Sequence, residues 1–483
     1  MENNLFKVYS FGIIGSILLF YIGWEFNIPL VPFVSFPLLI FSFRKIKKWY
    51  MTLPIILVMI ITRYVSIVGG WDIEPLMMLG FAFIVLTPII CALYIDRYYL
   101  NRLSPLIHSL IFPCTYIILD YFVTYANLGM TFSLTYSQST FLEFIQGASL
   151  LGSWFVGFMV AWFAPNVLLL INNYKSLELV KIPLIIYFAI LTLVISYGSF
   201  RLVYNRPNSD NVRIASITVE HDKDYWLITD NRTPKNEAEE HKPDMEAIQD
   251  ELFTLSKKAA DYGSKIIFWS EGNLPIYEDD YDDFISKAKK FAKDNEVYLI
   301  PSGVVLLYDR TKNDNISIII NPEGEVLYRY EKSISWYPTD SDGIIPIIET
   351  PYGRIALAIC FDMDYPTLIS QASESDIMLV PAFDTKKIAN FHTRVSFIRG
   401  IENGFSVIRQ ANEGASISAD YLGNTLTYQN YFFTDERIMI SDVPTRGVNT
   451  LYGMTKEIFL WSVFAGFIVI NGLYIKRRLK NKS

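Results

Sequence analysis

Seven apolar stretches follow one another in the first 200 residues, near 8–25, 27–43, 51–69, 75–95, 105–126, 145–171 and 182–199, and an eighth lies at 457–475. Each approaches the roughly 20 residues that a helix needs to cross about 30 Å of hydrocarbon. A chain patterned in this way is expected to place these helices in a bilayer, and 27–43 is short while 145–171 is long enough to hold a tilted or interrupted helix. Composition agrees: 51% of the 483 residues are hydrophobic and 19% charged, fewer charges than the usual quarter or so of a soluble globule.

The spans imply an orientation, because short cytoplasmic loops are enriched in Lys and Arg. Arg44, Lys45, Lys47 and Lys48 follow the second stretch, Arg97 and Arg102 the fourth, Lys175 and Lys181 the sixth, and Lys476, Arg477, Arg478, Lys480 and Lys482 the eighth. The alternate loops carry Asp72 and Glu74, or no charge at all in 127–141. The expectation is a multi-pass protein of the cell membrane with both termini cytoplasmic. A seven-span domain over 1–205 precedes an extracytoplasmic domain over 211–447, and a C-terminal helix at 457–475 carries a basic cytoplasmic tail. The first span is read as uncleaved, since no small-residue cleavage site follows it.

Residues 201–460 hold 27 Lys and Arg against 41 Asp and Glu, a net of −14, which leaves +7 for the rest. An acidic domain with no basic stripe lacks the electrostatic footprint of a nucleic-acid binder. Three cysteines, Cys91, Cys114 and Cys360, are too few for a disulfide scaffold, and only Cys360 lies in the polar region. Within 210–450, β-branched runs at 212–219, 265–270, 297–307, 316–320, 326–330, 354–360, 377–381 and 406–410 alternate with stretches of helical period at 244–262, 280–294, 366–374 and 389–403. Asn321-Pro-Glu-Gly324 reads as a hairpin turn. Strands alternating with helices predict an α/β layered domain, and 221–243, charged and without period, predicts a loop.

Three segments end an apolar strand with a reactive group: Phe268-Trp269-Ser270-Glu271-Gly272, Tyr328-Arg329-Tyr330-Glu331-Lys332-Ser333 and Ala358-Ile359-Cys360-Phe361-Asp362. Ligands of open α/β sheets bind beyond the carboxyl ends of strands, so the three are expected to converge there. A thiol needs a base to become a thiolate, and the oxyanion it generates needs a cation or donors. Glu271 suits the first task and Lys332 the second. Taken one at a time, a Glu or Lys after a strand is usually a solvated loop residue, and a lone cysteine ending an apolar run is usually inert packing.

In this order and spacing the three segments resemble the Glu-Lys-Cys triad of the carbon-nitrogen hydrolase (nitrilase) superfamily, over about 211–447. Seven spans before that domain and one after it resemble the superfamily's membrane branch, the apolipoprotein N-acyltransferases. Arg409-Gln410-Ala411-Asn412-Glu413-Gly414, the Gly423-Asn424 turn and the helix from His392 to Asn403 match as well. The resemblance implies an αββα sandwich and a ping-pong acyl transfer. In that scheme Glu271 takes the proton of Cys360, the thiolate attacks an ester of a membrane phospholipid, and Lys332 with the Phe361 backbone N–H holds the oxyanion. The α-amine of a diacylglyceryl-cysteine lipoprotein or lipopeptide then takes the acyl chain from the Cys360 thioester. No cofactor, metal or nucleotide is implied.

The sequence departs from that branch in places. The run Ser333-Ile-Ser-Trp-Tyr-Pro-Thr-Asp340 stands where the branch carries a second essential glutamate, so Asp340 is the candidate replacement, one methylene shorter. Pro381-Ala-Phe-Asp-Thr-Lys-Lys387 replaces an Asn-Asp-Ala-Trp-Phe-like loop, which leaves donor and acceptor open. Asp362 after the Cys-aromatic pair reads as a structural cap. Trp336, Tyr337 and Phe383 are candidates to line an acyl pocket, with core packing as the rival reading. Arg63 and Asp120 fall inside spans, where ionisable groups are costly and often functional, and His221, His241 and His392 show no metal-ligand spacing. Aromatic residues at 428–433 suit a membrane surface. Two other functions remain open: a membrane-tethered amidase in which water resolves the thioester, and a non-catalytic nitrilase-like domain that only binds a ligand.

Overall fold

The computed structural model of the chain describes residues 2–23, 25–70, 74–220, 239–307, 313–335 and 339–480. It divides into two compact units, Met1–Asn205 with Thr455–Ser483, and Arg206–Met454. In the first unit, six helices among the described residues are long and apolar enough to cross a membrane: Trp49–Ile67, Pro75–Tyr99, Pro105–Leu128, Ser153–Asn172, Lys181–Tyr204 and Ile458–Leu479. The stretches expected to span at 8–25 and 27–43 are shorter helices instead, Glu2–Leu18 and Pro32–Lys45. Gly23 at φ +75° and prolines 29 and 32 break the apolar run between them, and a proline lacks the N–H a helix interior needs. The 14 residues of Pro32–Lys45 rise only about 21 Å. The long stretch at 145–171 is interrupted, as Gly152 at φ +81° separates Ala148–Leu151 from Ser153–Asn172. One buried ion pair inside this unit meets the cost of burying charge: Arg44 donates from Nε and Nη2 to both Asp96 oxygens at 2.7 Å.

The second unit is built on two sheets. The larger has the order β14-β1-β2-β4-β6-β5-β3, with β7 hairpinned on β6. Its strands are β1 (Asn211–Ile217), β2 (Ile266–Trp269), β3 (Leu274–Tyr277), β4 (Tyr298–Ile300), β5 (Ser302–Leu306), β6 (Asn313–Ile320), β7 (Val326–Glu331) and β14 (Ile438–Pro444). The smaller has the order β13-β12-β11-β10-β9-β8, from β8 (Ile347–Thr350), β9 (Gly353–Leu357), β10 (Ile377–Phe383), β11 (Ser406–Asn412), β12 (Ala415–Ala419) and β13 (Thr425–Asn430). β1, β2 and β4 run parallel, with Ile214 beside Ile266 and Ile266 beside Tyr298, and so do β9, β10 and β11. Such strands are covered on both faces and read as unbroken apolar runs; β2 and β11 are buried along their whole length.

The sheets face each other, and Ser216 Oγ on β1 donates across the gap to Gln410 Oε1 on β11 at 2.6 Å. On the outer face of the larger sheet lie the helices Lys242–Asp261 and Tyr281–Asn295. Phe253 and Phe284 from these helices set their rings 5.4 Å and 6.1 Å from that of Trp269, whose indole N–H donates to Ser256. The helix Ala389–Asn403 covers β11 and β12 on the other side. The order of layers is therefore α-β-β-α, an α/β sandwich. Asn321 to Gly324 forms the β6–β7 turn, with Gly324 at φ +79°.

The helix Ala389–Asn403 ends on Gly404, at φ +91°, where an added Cβ would stand 1.8 Å from the Val448 carbonyl. A left-handed conformation costs an L-residue roughly 1–2 kcal/mol before any clash. Gly404→Ala is therefore expected to lower stability by at least about 2 kcal/mol, read as a drop in Tm of the purified full chain. An unchanged Tm would show that the segment bearing Val448 yields at no cost.

Candidate active site

The carboxyl ends of β2, β7 and β9 bring Glu271, Lys332 and Cys360 to one place between the sheets. Glu271, two residues past β2, is 5% exposed and accepts on both oxygens. Its Oε1 takes Lys332 Nζ at 2.6 Å and Asn315 Nδ2 at 2.8 Å, and its Oε2 takes the Phe383 N–H at 3.0 Å. Burial works to lower the Lys332 ammonium, but Glu271 and the Cys360 sulfur outweigh it and hold the group above its ordinary value. Lys332 is thus a fixed cation.

Cys360 opens a short 3-10 turn, Cys360–Asp364, directly after β9. Its φ is +50°, a conformation that non-glycine residues adopt only when the surroundings impose it. Asp362 imposes it here. Its Oδ2 accepts the Ile359 N–H at 3.0 Å and the Tyr330 hydroxyl at 2.7 Å, and its Oδ1 accepts the Ile334 N–H at 2.8 Å. Burial pushes this carboxyl up to about 6, with Lys332 and those donors opposing. The Cys360 thiol donates to the Phe383 carbonyl at 3.4 Å, so the backbone of one residue, Phe383, touches the thiol through its C=O and Glu271 through its N–H. Burial and then Glu271 push the thiol well above its usual range, against the pull of Lys332 and Arg409. The resting group is a thiol that needs a base.

Of the other residues singled out in the sequence, Phe361 follows Cys360 in the same turn, its ring 5.5 Å from that of Tyr365. Phe383, expected to line a pocket with its side chain, enters the site through its backbone. Asp340 is exposed, and its N–H donates to Glu331 Oε1 at 2.8 Å. Glu331, the last residue of β7, is buried and also accepts the Thr339 hydroxyl. Trp336 and Tyr337 lie outside the described residues, as does His221. His241 sits on the domain's outer surface beside Asp244. Arg63 and Asp120 are buried in the membrane unit, where Tyr116 donates to Asp120 at 3.2 Å.

Sequence reasoning missed Asn315, which holds Glu271 from β6, and gave no site role to Asp384, His392 and Arg409, which form a second buried cluster beside the sulfur. Arg409 forks both Asp384 oxygens at 2.7 and 2.9 Å, and His392 Nδ1 meets Asp384 Oδ1 at 2.8 Å. Burial would raise Asp384, but Arg409 and His392 hold it below its ordinary value. Ligand atoms of Cys360, Asp384 and His392 lie within 4.8 Å of one another, and their types suit zinc. However, both Asp384 oxygens already carry donors, and a dication there would have to displace the Arg409 guanidinium. The donor set fits a hydrogen-bonded network better than a metal. The members are 8 and 25 residues apart in sequence, so no motif spacing announces them.

Residues 236–444 match the carbon-nitrogen hydrolase family. The apolipoprotein N-acyltransferase of Geobacter metallireducens is 23% identical over 435 residues, 82% of this chain and 79% of its own. Apolipoprotein N-acyltransferase 2 of Treponema denticola is 23% identical over 393 residues, covering 70% of this chain and 71% of its own. The crystal structure of an amidase from Nesterenkonia sp. covers 53% of this chain and 97% of its own, at 15% identity and a TM-score of 0.42.

The electrostatics of the triad carry a test. Glu271→Gln removes the anion that, after burial, most raises the thiol and leaves Lys332 facing the sulfur. Cys360 is then expected to titrate lower, so alkylation by iodoacetamide near neutral pH becomes faster than in the wild type. An unshifted alkylation profile would mean that the Glu271 charge does not reach the sulfur.

Proposed function

We propose that this chain, an acyltransferase-type enzyme of the carbon-nitrogen hydrolase superfamily, moves a fatty acyl chain from a membrane phospholipid through a Cys360 thioester to the N-terminal amine of a diacylglyceryl-cysteine lipoprotein. The observation that carries the reading is the thiol of Cys360, set on a left-handed turn beside the buried Glu271–Lys332 pair. In the first half-reaction Glu271 takes the thiol proton and the sulfur attacks the ester carbonyl. Lys332 and the Phe361 N–H hold the oxyanion, the C–O bond breaks, and Glu271 returns the proton to the departing lysophospholipid oxygen. In the second, the amine attacks the thioester, the C–S bond breaks and Cys360 regains a proton. A thioester keeps enough reactivity for an amine to resolve it, and this route calls on no cofactor.

Relatives with the same activity name support the acceptor class, and the basic loops support the orientation. The catalytic unit lies outside the cytoplasm, with both termini inside. On this side Asp340 borders the acyl site, and Trp336, Tyr337 and Phe383 contact the chain being moved.

The test is mass spectrometry of Cys360 after purified protein meets phospholipid. A hydroxylamine-sensitive acyl adduct is expected, and it should disappear when a diacylated lipopeptide is added. A folded protein with a free Cys360 and no adduct would overturn the proposal in favour of an amidase or a binding domain. Cys360→Ala is expected to abolish transfer, and Cys360→Ser nearly so, since a hydroxyl is harder to deprotonate. Lys332→Ala is expected to cost about 10²–10³ in rate, as other single oxyanion donors do; an unchanged rate would remove Lys332 from the developing charge.

A further inference from the structure

Glu271, the base proposed for the first half-reaction, has both its oxygens engaged, and a second acceptor stands on the other side of the sulfur. Glu271 Oε1 already accepts from Lys332 and Asn315, and Oε2 from the Phe383 N–H. An amine that attacks a thioester generates a nitrogen with one proton too many, and this proton must leave before the C–S bond breaks productively. On the other side of Cys360 stands an imidazole whose acceptor is unused. The Asp384 carboxylate only accepts, so His392 Nδ1, 2.8 Å from Asp384 Oδ1, carries the hydrogen, which leaves Nε2 as the ring position that can take up or release a proton. That Nε2 is buried and has no hydrogen-bond partner among the described residues. An orphaned buried acceptor is destabilising unless a water or substrate donor reaches it.

The surroundings fix this ring. Arg409 forks Asp384, so the carboxylate cannot rotate away. Ser396 donates to the His392 carbonyl, and the Phe391 ring lies 5.5 Å from the imidazole. The charged and titratable groups facing it are Asp384 from β10, Arg409 from β11 and Cys360 from the turn after β9, with Glu271 and Lys332 beyond the sulfur. His392 and Cys360 each retain a sliver of surface, 6% and 8%, and a His392 nitrogen lies within 4.8 Å of Sγ.

We infer that His392, oriented by Asp384 and Arg409, is the proton carrier of the amine half-reaction. This rests on the acyl-transfer reading above. The neutral amine attacks the Cys360 thioester carbonyl and a C–N bond forms. His392 Nε2 takes one proton from the attacking nitrogen. The carbonyl re-forms, the C–S bond breaks, and the imidazolium returns the same proton to the departing sulfur, leaving an amide and a thiol. Glu271 moves a proton from sulfur to oxygen in the first half, and His392 moves one from nitrogen to sulfur in the second.

The test separates the halves with His392→Asn, whose amide can still donate to Asp384 but lacks Nε2. Incubated with phospholipid, the variant is expected to accumulate acyl-Cys360, which also reports that it folds. Discharge of the adduct by a diacylated lipopeptide is expected to slow by about 10²–10⁴, the usual worth of general acid–base catalysis. Hydroxylamine, a far stronger nucleophile, should still clear the adduct at the wild-type rate. Lipopeptide discharge within about threefold of the wild type would overturn the inference. Equal loss in acylation and discharge would also overturn it, by making His392 a support for Cys360 alone. Absence of any adduct on the wild-type protein would instead overturn the acyl-transfer reading on which the inference rests.

Discussion

The Glu271 carboxylate is the knot of the catalytic unit. It follows β2 and accepts from Asn315 on β6, from Lys332 after β7 and from the Phe383 N–H on β10, so one buried anion joins the larger sheet to the smaller. Removing one partner of a buried ion pair strands the other charge, at about 3–5 kcal/mol. Both sheets must therefore dock correctly for the anion to find its donors, and the docking that stabilises the unit also assembles its chemistry. The thiol is drawn into the same arrangement through the carbonyl of Phe383.

Around this knot the two sides of Cys360 differ in kind. On one side an ammonium and a carboxylate form a compact pair with every oxygen in use. On the other, a neutralised Arg409–Asp384 pair holds an imidazole that has capacity to spare. A nucleophile lying between a saturated base and an unsaturated one suits a two-stage reaction, in which the proton inventory changes between stages. The burial that raises the thiol also shields Cys360 from bulk solvent.

Much of this could be read from the sequence, for physical reasons that vary by element. The helix expected at 389–403 and the strand at 265–270 were legible, because a central element buries a continuous apolar face. The turn at Asn321–Gly324 was legible because its backbone needs a glycine. The strands β8, β13 and β14 were not. β8 and β13 lie at the edges of their sheet with partly exposed, polar sequences, and β14 pairs with β1 from the far end of the domain. The apolar run 297–307 is two strands because Pro301 divides it. Hydropathy alone placed two spans near the N-terminus where glycine and proline leave shorter helices. Glu271, Lys332 and Cys360 were visible because each ends an apolar run. Asn315 was not visible, and the segments carrying Asp384, His392 and Arg409 were quoted without a site role, because the proximity of these four is made by sheet packing and not by spacing.

The left-handed turn at Cys360 has a further consequence. The sulfur is aimed by the backbone, and that backbone is held by Asp362, Tyr330 and Ile334, none of which depends on the thiol. Exchange of the sulfur alone therefore leaves this turn and the buried Glu271–Lys332 pair beside it standing. A copy silenced in that way would not vanish from the bilayer as a misfolded chain does. It would persist as a folded copy without its nucleophile, so at this residue loss of chemistry and loss of protein are separable.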